Sequence, residues 1–330
     1  MKLPKLYSIF IGIGILIITF FFIRELNENT RYRQNSKIKV SINEWAGYAP
    51  LVYAKEIGLF EKNNIDVEII LMPGQAESNE KFINDEVDAV CTVTSDALMI
   101  NANGVDGKIV LFTDYSVTGD VIVANPKIKS VKDLRKKIIG IDSLNGFSHL
   151  LVLNALKANG ISEKEVEFKI IPYTEIGNAI KSSSIDAGHT WNPGKNLALK
   201  SGAKVIFTAG EIPGLISDTI TFKQDYIKQN PEVVEKFKSI FYQAQQKMLE
   251  NPQDAAMIVS KFFKNDPKEF YESFSEIHFI NEKENSELFN FQNEVNGQQL
   301  LSKYSQFYLE RGQISDPNLF KKIMLVRSTI

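Results

Sequence analysis

The feature that most constrains this chain is a repeated alternation between short apolar runs and helical stretches, which begins near residue 38. Residues 39–42 and 66–71 have the apolar composition of strands, and the segment 50–60 between them carries apolar residues at helical spacing. This βαβ pattern predicts a mainly parallel sheet with helices on both faces. A second block of the same kind follows residue 120, and the chain beyond Pro231 is predicted to be almost wholly helical.

Ligands of such sheets bind outside the carboxyl ends of the strands. The loops that we expect at those ends in the first block are residues 43–50, 73–78, 94–96 and 113–120. We therefore look for a site in these loops and in the corresponding loops of the second block.

Charge and cysteine content exclude several classes of protein. The 38 Lys and Arg residues are balanced by 40 acidic residues, so no basic excess indicates a nucleic-acid partner. The single cysteine, Cys91, excludes an internal disulfide, and the three histidines are too far apart to form a zinc motif. No P-loop or G-x-S-x-G elbow occurs. The sequence thus predicts a protein that is not an enzyme and has no metal and no cofactor.

The N-terminal part has a different character. Residues 6–23 contain no charged side chain, and their 18 positions approach the roughly 20 that span a bilayer as a helix. No Ala-x-Ala site follows, so we favour an uncleaved transmembrane anchor over a cleaved signal peptide. Residues 1–5 would then be a cytoplasmic N-terminus and residues 24–37 a polar linker. Because Lys and Arg lie on both sides of the run, charge alone leaves its orientation open.

Several segments resemble a known family in matching order. They are N43-E-W-A-G-Y-A-P50 with the following L-V-Y-A-K-E-I-G-L-F, residues 84–94, D114-Y-S with G119-D120, S130-V-K-D-L-R-K-K-I-I-G140, and I212-P-G-L-I-S-D218. The chain resembles the ABC-transporter substrate-binding proteins of the nitrate/sulfonate/taurine and thiamine-precursor type, which are NMT1-like. The resemblance runs from about residue 38 to 225. It departs from the family at Asn192, where a glutamate before proline is common.

The resemblance implies an α/β, two-lobed periplasmic-binding-protein-like fold of type II, with each lobe built on a mainly parallel sheet flanked by helices. Lobe 1 would comprise residues 38–119 and 219–330, and lobe 2 residues 120–218. The implied function is to capture a small molecule between the lobes and deliver it to the permease and ATPase subunits of an ABC importer. The body would lie outside the cytoplasmic membrane, tethered through residues 6–23.

Two alternatives remain open at this stage. One is a ligand-sensing domain of the same fold that reports to a signalling partner. The other is an enzyme on the same fold, such as a thiamine-pyrimidine synthase or a menaquinone-pathway enzyme, although the former type carries a cysteine-rich motif that this chain lacks.

The candidate ligand-binding residues are polar or aromatic side chains at predicted strand ends and crossovers. They are Trp45, Tyr48, Thr94, Ser95, Asp120, Ser143, Asn145, Phe147, His189, Trp191, Asn192 and Asp218. Thr94, Ser95 and Asp96 also have the composition of a helix N-cap. Because the predicted loops hold no Arg, an oxyanion would rely on helix N-termini and hydroxyl groups. A flat pyrimidine-like ligand would instead stack on Trp45 or Trp191, and the sequence does not separate these two ligand classes.

Overall fold

The computed structural model describes residues 37–290 and 297–325. The predicted membrane span at 6–23 lies outside these residues. Within the two described ranges, no helix combines the length and the apolar character that crossing a bilayer requires.

The first sheet has six strands in the order β11-β4-β10-β3-β1-β2. Its strands are β1 (Ile38–Ile42), β2 (Val67–Leu71), β3 (Ala89–Val93), β4 (Gly107–Ser116), β10 (Ser217–Lys223) and β11 (Ile277–Phe279). Strand β3 is buried along its whole length, as expected for a strand in the middle of a covered sheet.

The second sheet has five strands in the order β7-β6-β8-β5-β9. Its strands are β5 (Val121–Ala124), β6 (Ile138–Ile141), β7 (Glu167–Ile170), β8 (Ala187–Thr190) and β9 (Lys204–Thr208). The chain passes between the sheets twice, from β4 to β5 and from β9 to β10. Below, the first half and the second half are each sheet together with its flanking helices.

The two sheets are mixed rather than mainly parallel in their pairing. Strands β1, β2 and β3 pair in parallel, but β10 runs antiparallel to β3 and β4. In the second sheet, β6 pairs in parallel with β7 and β8, while β5 is antiparallel to β8 and β9. The reversed strands β5 and β10 are those that receive the chain from the other sheet. The alternation of strands and helices in the sequence does not indicate that β5 and β10 run in the opposite direction.

Helices cover the sheets, and four of them contain proline at the first or second helical position, where its missing N–H costs nothing. In the first half they are α1 (Ala49–Glu56), α2 (Leu59–Lys62), α3 (Gln75–Ile83), α4 (Thr94–Ala102), α8 (Gln224–Gln229), α9 (Pro231–Glu250), α10 (Pro252–Phe263), α11 (Pro267–Ser273), α12 (Glu282–Leu288) and α13 (Gly297–Glu310). In the second half they are α5 (Phe147–Ala158), α6 (Ile176–Lys181) and α7 (Gly194–Lys200).

The C-terminal part departs from the helical prediction in one place that positions the cleft. Strand β11 interrupts the helical tail and pairs with β4 through residues 114–116. Helix α13 then packs on α4 with the buried side chains of Leu301, Tyr304 and Tyr308. The tail therefore covers the first half beside the interface between the two halves.

Candidate functional site

Two aromatic residues of the loop after β1 are bound to a pair of buried aspartates. The indole Nε1 of Trp45 donates to Asp114 Oδ1 at 3.0 Å, and the Tyr48 hydroxyl donates to Asp218 Oδ1 at 2.5 Å. Asp114 and Asp218 are direct partners across β4 and β10. All four side chains are buried, so this junction binds the loop to the centre of the first sheet.

The two aspartates of this junction accept hydrogen bonds from neutral groups, and the pKa of each is raised. Burial raises the pKa of Asp114 to about 7, against the lowering effect of the Thr113 hydroxyl and the Trp45 indole. Burial and the neighbouring Asp114 carboxyl raise the pKa of Asp218 well above its ordinary value. Both groups thus favour the protonated form more strongly than a solvated aspartate does.

The predicted N-cap at residues 94–96 is wrong. Helix α4 starts at Thr94 itself, with Val93 at the N-cap position and no side-chain cap. Strand β3 runs into the helix without a loop, and the Thr94 hydroxyl donates to the Ser217 carbonyl at 2.8 Å. Thr94 and Ser95 are fully buried there.

Asp120, His189 and Ser148 form a chain of hydrogen bonds in the second half. The His189 Nε2 atom lies 3.0 Å from Asp120 Oδ1, and Nδ1 lies 2.9 Å from Ser148 Oγ. Ser148 Oγ also accepts from the Asp142 amide at 3.1 Å. All three side chains are buried. It joins the crossover before β5 to the first turn of α5.

Trp191 is packed inside the second half. Its indole stacks on the Tyr173 ring at 4.0 Å between centroids and lies 5.2 Å from the ring of Phe147. With about 1% of its surface exposed, Trp191 supports Tyr173 and Phe147 from behind.

A cavity of about 330 Å³ lies between the halves on the side of α3 and α4. The residues that line it come from both halves and from the segment after α13. They are Gln75, Ala76, Asn79, Ile83, Asp96, Met99, Ile100, Asn103, Asp142, Ser143, Leu144, Asn145, Gly146, Phe147 and Gln313. Of the predicted site residues, Ser143, Asn145 and Phe147 are in this set.

Asp96 connects the two halves at the floor of the cavity. Its Oδ1 accepts from the backbone amide of Phe147 at 3.2 Å, and its Oδ2 accepts from Asn79 Nδ2 at 3.0 Å. Burial raises the pKa of Asp96 to about 7, although these two donors lower it. The candidate residues chosen from sequence include Thr94 and Ser95 but not Asp96, although residues 94–96 were expected at a strand end, and they do not include Asp142. The usable signal for Asp142 was its place at the carboxyl end of β6, directly before Ser143.

Beside a second, smaller cavity, the halves are in direct contact. Asn192 Nδ2 donates to Glu276 Oε2 at 2.9 Å, and Lys195 forms an ion pair with the same glutamate at 2.5 Å. Asn196 Nδ2 donates to Glu269 Oε2 at 3.3 Å. The cavity there, beside Trp45 and Asn192, measures about 10 Å³. This is room for about one water molecule.

The predicted residues therefore fall into separate groups. The first group, which is buried in the first half, consists of Trp45, Tyr48, Thr94, Ser95 and Asp218. Asp120, His189 and Trp191 are buried in the second half, and Asn192 lines the smaller cavity.

Comparison with known proteins supports this architecture. The "Putative aliphatic sulfonates-binding protein" of Bacillus subtilis is 25% identical over 95% of this chain and 96% of its own length. The "Riboflavin-binding protein RibY" of Chloroflexus aurantiacus is 29% identical over 40% of this chain, which is 38% of its own length. Both proteins are less than one-third identical to this chain in the aligned regions.

Among solved structures, the alkanesulfonate-binding protein SsuA from Xanthomonas axonopodis pv. citri, bound to MOPS, superposes with a TM-score of 0.71 at 15% identity. The superposition covers 88% of this chain and 98% of that one. The predicted two-sheet α/β fold of periplasmic binding proteins is thereby confirmed. The family model described as "NMT1/THI5 like" matches residues 45–255, more than half of the chain, and the protein belongs to that family.

Proposed function

We propose that this protein is an extracytoplasmic solute-binding protein that captures a small molecule between its two halves and delivers it to an ABC importer. The observation that carries the proposal is the cavity of about 330 Å³, which both halves line. This volume is in the usual range for small-molecule pockets. The full-length similarity to a sulfonates-binding protein supports the same function.

The proposed mechanism is binding by closure. The first half corresponds to lobe 1 (38–119 and 219–330) and the second to lobe 2 (120–218), except that Ser217 and Asp218 belong to β10 of the first sheet. A ligand that contacts both lobes stabilises the closed arrangement by its higher affinity for it. The contacts of Asn192 and Asn196 with the first half are those that closure would form beside the smaller cavity.

The predicted site residues have distinct roles in this proposal. Ser143, Asn145 and Phe147 contact the ligand directly, since they line the cavity. Trp45, Tyr48 and Asp218 position the surface of lobe 1. Asp120 and His189 hold the start of α5, and Trp191 supports the ring of Phe147.

We also propose that residues 6–23 anchor the protein in the cytoplasmic membrane with its body outside. The support is the uncharged run itself. A reporter that is active only outside the cytoplasm, fused after residue 330, tests the orientation. The anchor predicts active fusions and a full-mass protein that stays in the membrane fraction after alkaline extraction. A full-length fusion that is inactive, because its reporter lies in the cytoplasm, contradicts the importer function, and a shortened soluble protein contradicts the anchor.

Calorimetric titration of the full chain with nitrate, sulfonates, amines and pyrimidines tests the binding function. We expect one compound class to bind with a stoichiometry of one. Asn145→Ala and Ser143→Ala should weaken that binding, while Asp66→Asn, at an exposed position far from the cavity lining, serves as the control. Absence of binding to every class contradicts the function.

A further inference from the structure

The charge of the cavity carries an inference about its ligand. Among the residues that line it, the ionisable side chains are the carboxyls of Asp96 and Asp142, and none is Lys, Arg or His. Burial raises the pKa of both carboxyls; in Asp142 the nearby His189 lowers the pKa and Glu77 raises it. The described lining thus offers acidic groups and amide or hydroxyl groups, but no side-chain cation.

Two helices begin at the cavity, α3 at Gln75 and α5 at Phe147. Helix α3 carries the acidic Glu77 in its first turn, and the amide end of α5 is already occupied. Helix α5 is 12 residues long and begins at Phe147, which lines the cavity. The free amides of its first turn therefore bring a partial positive charge to the cavity. The carboxylate of Asp96 accepts from the Phe147 amide at 3.2 Å. An oxyanion at this helix end would have to displace Asp96 and lie beside its charge.

The basic side chains near the rim of the cavity do not offset the charge of its acidic lining. Arg311 Nη2 reaches Asn145 Oδ1 at 3.3 Å, but its guanidinium is paired through both terminal nitrogens with Glu163. Burial and the nearby Arg311 lower the pKa of His149 to about 4, so its imidazole is neutral near pH 7. His149 Nδ1 accepts from the Asn145 amide at 3.2 Å.

We propose that Asp96 sets the charge class of the ligand: the cavity takes a small molecule with a cationic or multiple N–H donor group, and it rejects oxyanions. This inference rests on the proposed solute-binding function. The second carboxyl, Asp142, lies at the end of β6 on the other half, so one ligand contacts acidic groups of both halves as they close. The amide of Asn79 bonds to Asp96 Oδ2 and fixes the orientation of the carboxylate.

Matched pairs of probes with similar shape and opposite charge test the inference. The pairs are guanidinium and nitrate, ethylammonium and ethanesulfonate, and benzamidinium and benzenesulfonate. Binding to the full chain is measured by calorimetry at fixed ionic strength and at a pH above the pKa of about 7 that Asp96 has, so that its carboxylate is charged. We expect the cation of at least one pair to bind and its anion to bind at least tenfold more weakly.

Substitutions of Asp96 and Asp142 test whether these carboxyls cause the preference for cations. Asp96→Asn keeps the shape and an acceptor oxygen, and we expect it to lose at least tenfold in cation affinity. Asp96→Ser frees the Phe147 amide and should gain affinity for the anion of the same pair. Asp142→Asn is the second test, should Asp96 variants fail to fold by circular dichroism, and it should also weaken cation binding. Asp66→Asn should bind like the wild type.

The outcomes separate the two proposals. Wild-type protein that binds the anions as well as or better than the cations overturns the charge assignment and leaves the solute-binding function standing. Unchanged cation affinity in both Asp96→Asn and Asp142→Asn also overturns the assignment. No binding of any probe by the wild type, together with no binding in the broader panel above, overturns both.

Discussion

Replacement of Asp114 by asparagine tests whether the buried junction titrates as its environment dictates. The folded-state pKa of this carboxyl is about 7, against an ordinary value of 3.8, and burial is the main cause. Because the folded protein binds the proton more tightly than the unfolded chain, this group stabilises the fold at low pH. The contribution is fully present below about pH 4 and is lost as the pH rises through about 7.

The magnitude follows from the two pKa values. Between pH 5 and pH 8, linkage predicts a loss of about 2 to 3 kcal/mol of unfolding free energy from this one group. Asparagine keeps an acceptor for the Trp45 indole and removes the titration. It also removes the charge that raises the pKa of Asp218, so the pH dependence of the variant should be flatter still.

The assay is urea unfolding at several pH values, followed by the fluorescence of Trp45 and Trp191, the two tryptophans of the chain. We expect Asp114→Asn to match the wild type near pH 5 and to exceed it in stability near pH 8. Asp66→Asn, on an exposed side chain, should follow the wild type throughout. Parallel curves for wild type and Asp114→Asn from pH 5 to pH 8 would refute the reasoning.

Two further substitutions test the same junction. A Cβ at Gly47 would lie 1.6 Å from Asp114 Oδ2 and 2.9 Å from Trp45 Nε1, so Gly47→Ala should lower the unfolding free energy by about 1 to 3 kcal/mol. An unfolding midpoint in urea equal to that of the wild type would show that the junction accommodates the added methyl group without loss of stability. Tyr48→Phe leaves the buried Asp218 without its phenol donor and should cost about 1 to 3 kcal/mol by the same assay. No change in stability would mean that this hydrogen bond contributes nothing net.

The sheet-forming segments could be predicted from sequence because apolar periodicity is a local signal. Strand β1, the helix after it and the prolines that begin the tail helices all follow from short windows of residues. Strand β11 could not be predicted in this way, since its three residues lie in a helical context and form a strand by pairing with β4. The reversed direction of β5 and β10 likewise depends on the path of the whole chain.

The site could be predicted only in part, because some of its contacts join residues that are distant in the sequence. Loop position indicated Ser143, Asn145 and Phe147, which line the cavity. Asp114 was missed as a partner of Trp45, because residues 113–120 were predicted to be a loop whereas β4 continues to Ser116. The bond from Asp96 to the Phe147 amide joins residues far apart in the chain, and no local pattern reports it.

The central claim is that the two halves open and close around one ligand. Asn196 and Glu269 are in contact across the interface at 3.3 Å and are each half-buried. Cysteines at these two positions, joined by a short bifunctional maleimide, would hold the halves together, and Cys91 is buried and so protected from the reagent. Association and dissociation rates of the bound compound are then measured with and without the cross-link. The account predicts one binding site in the unlinked protein and at least tenfold slower entry and release after cross-linking. Unchanged rates in the fully cross-linked protein would contradict it.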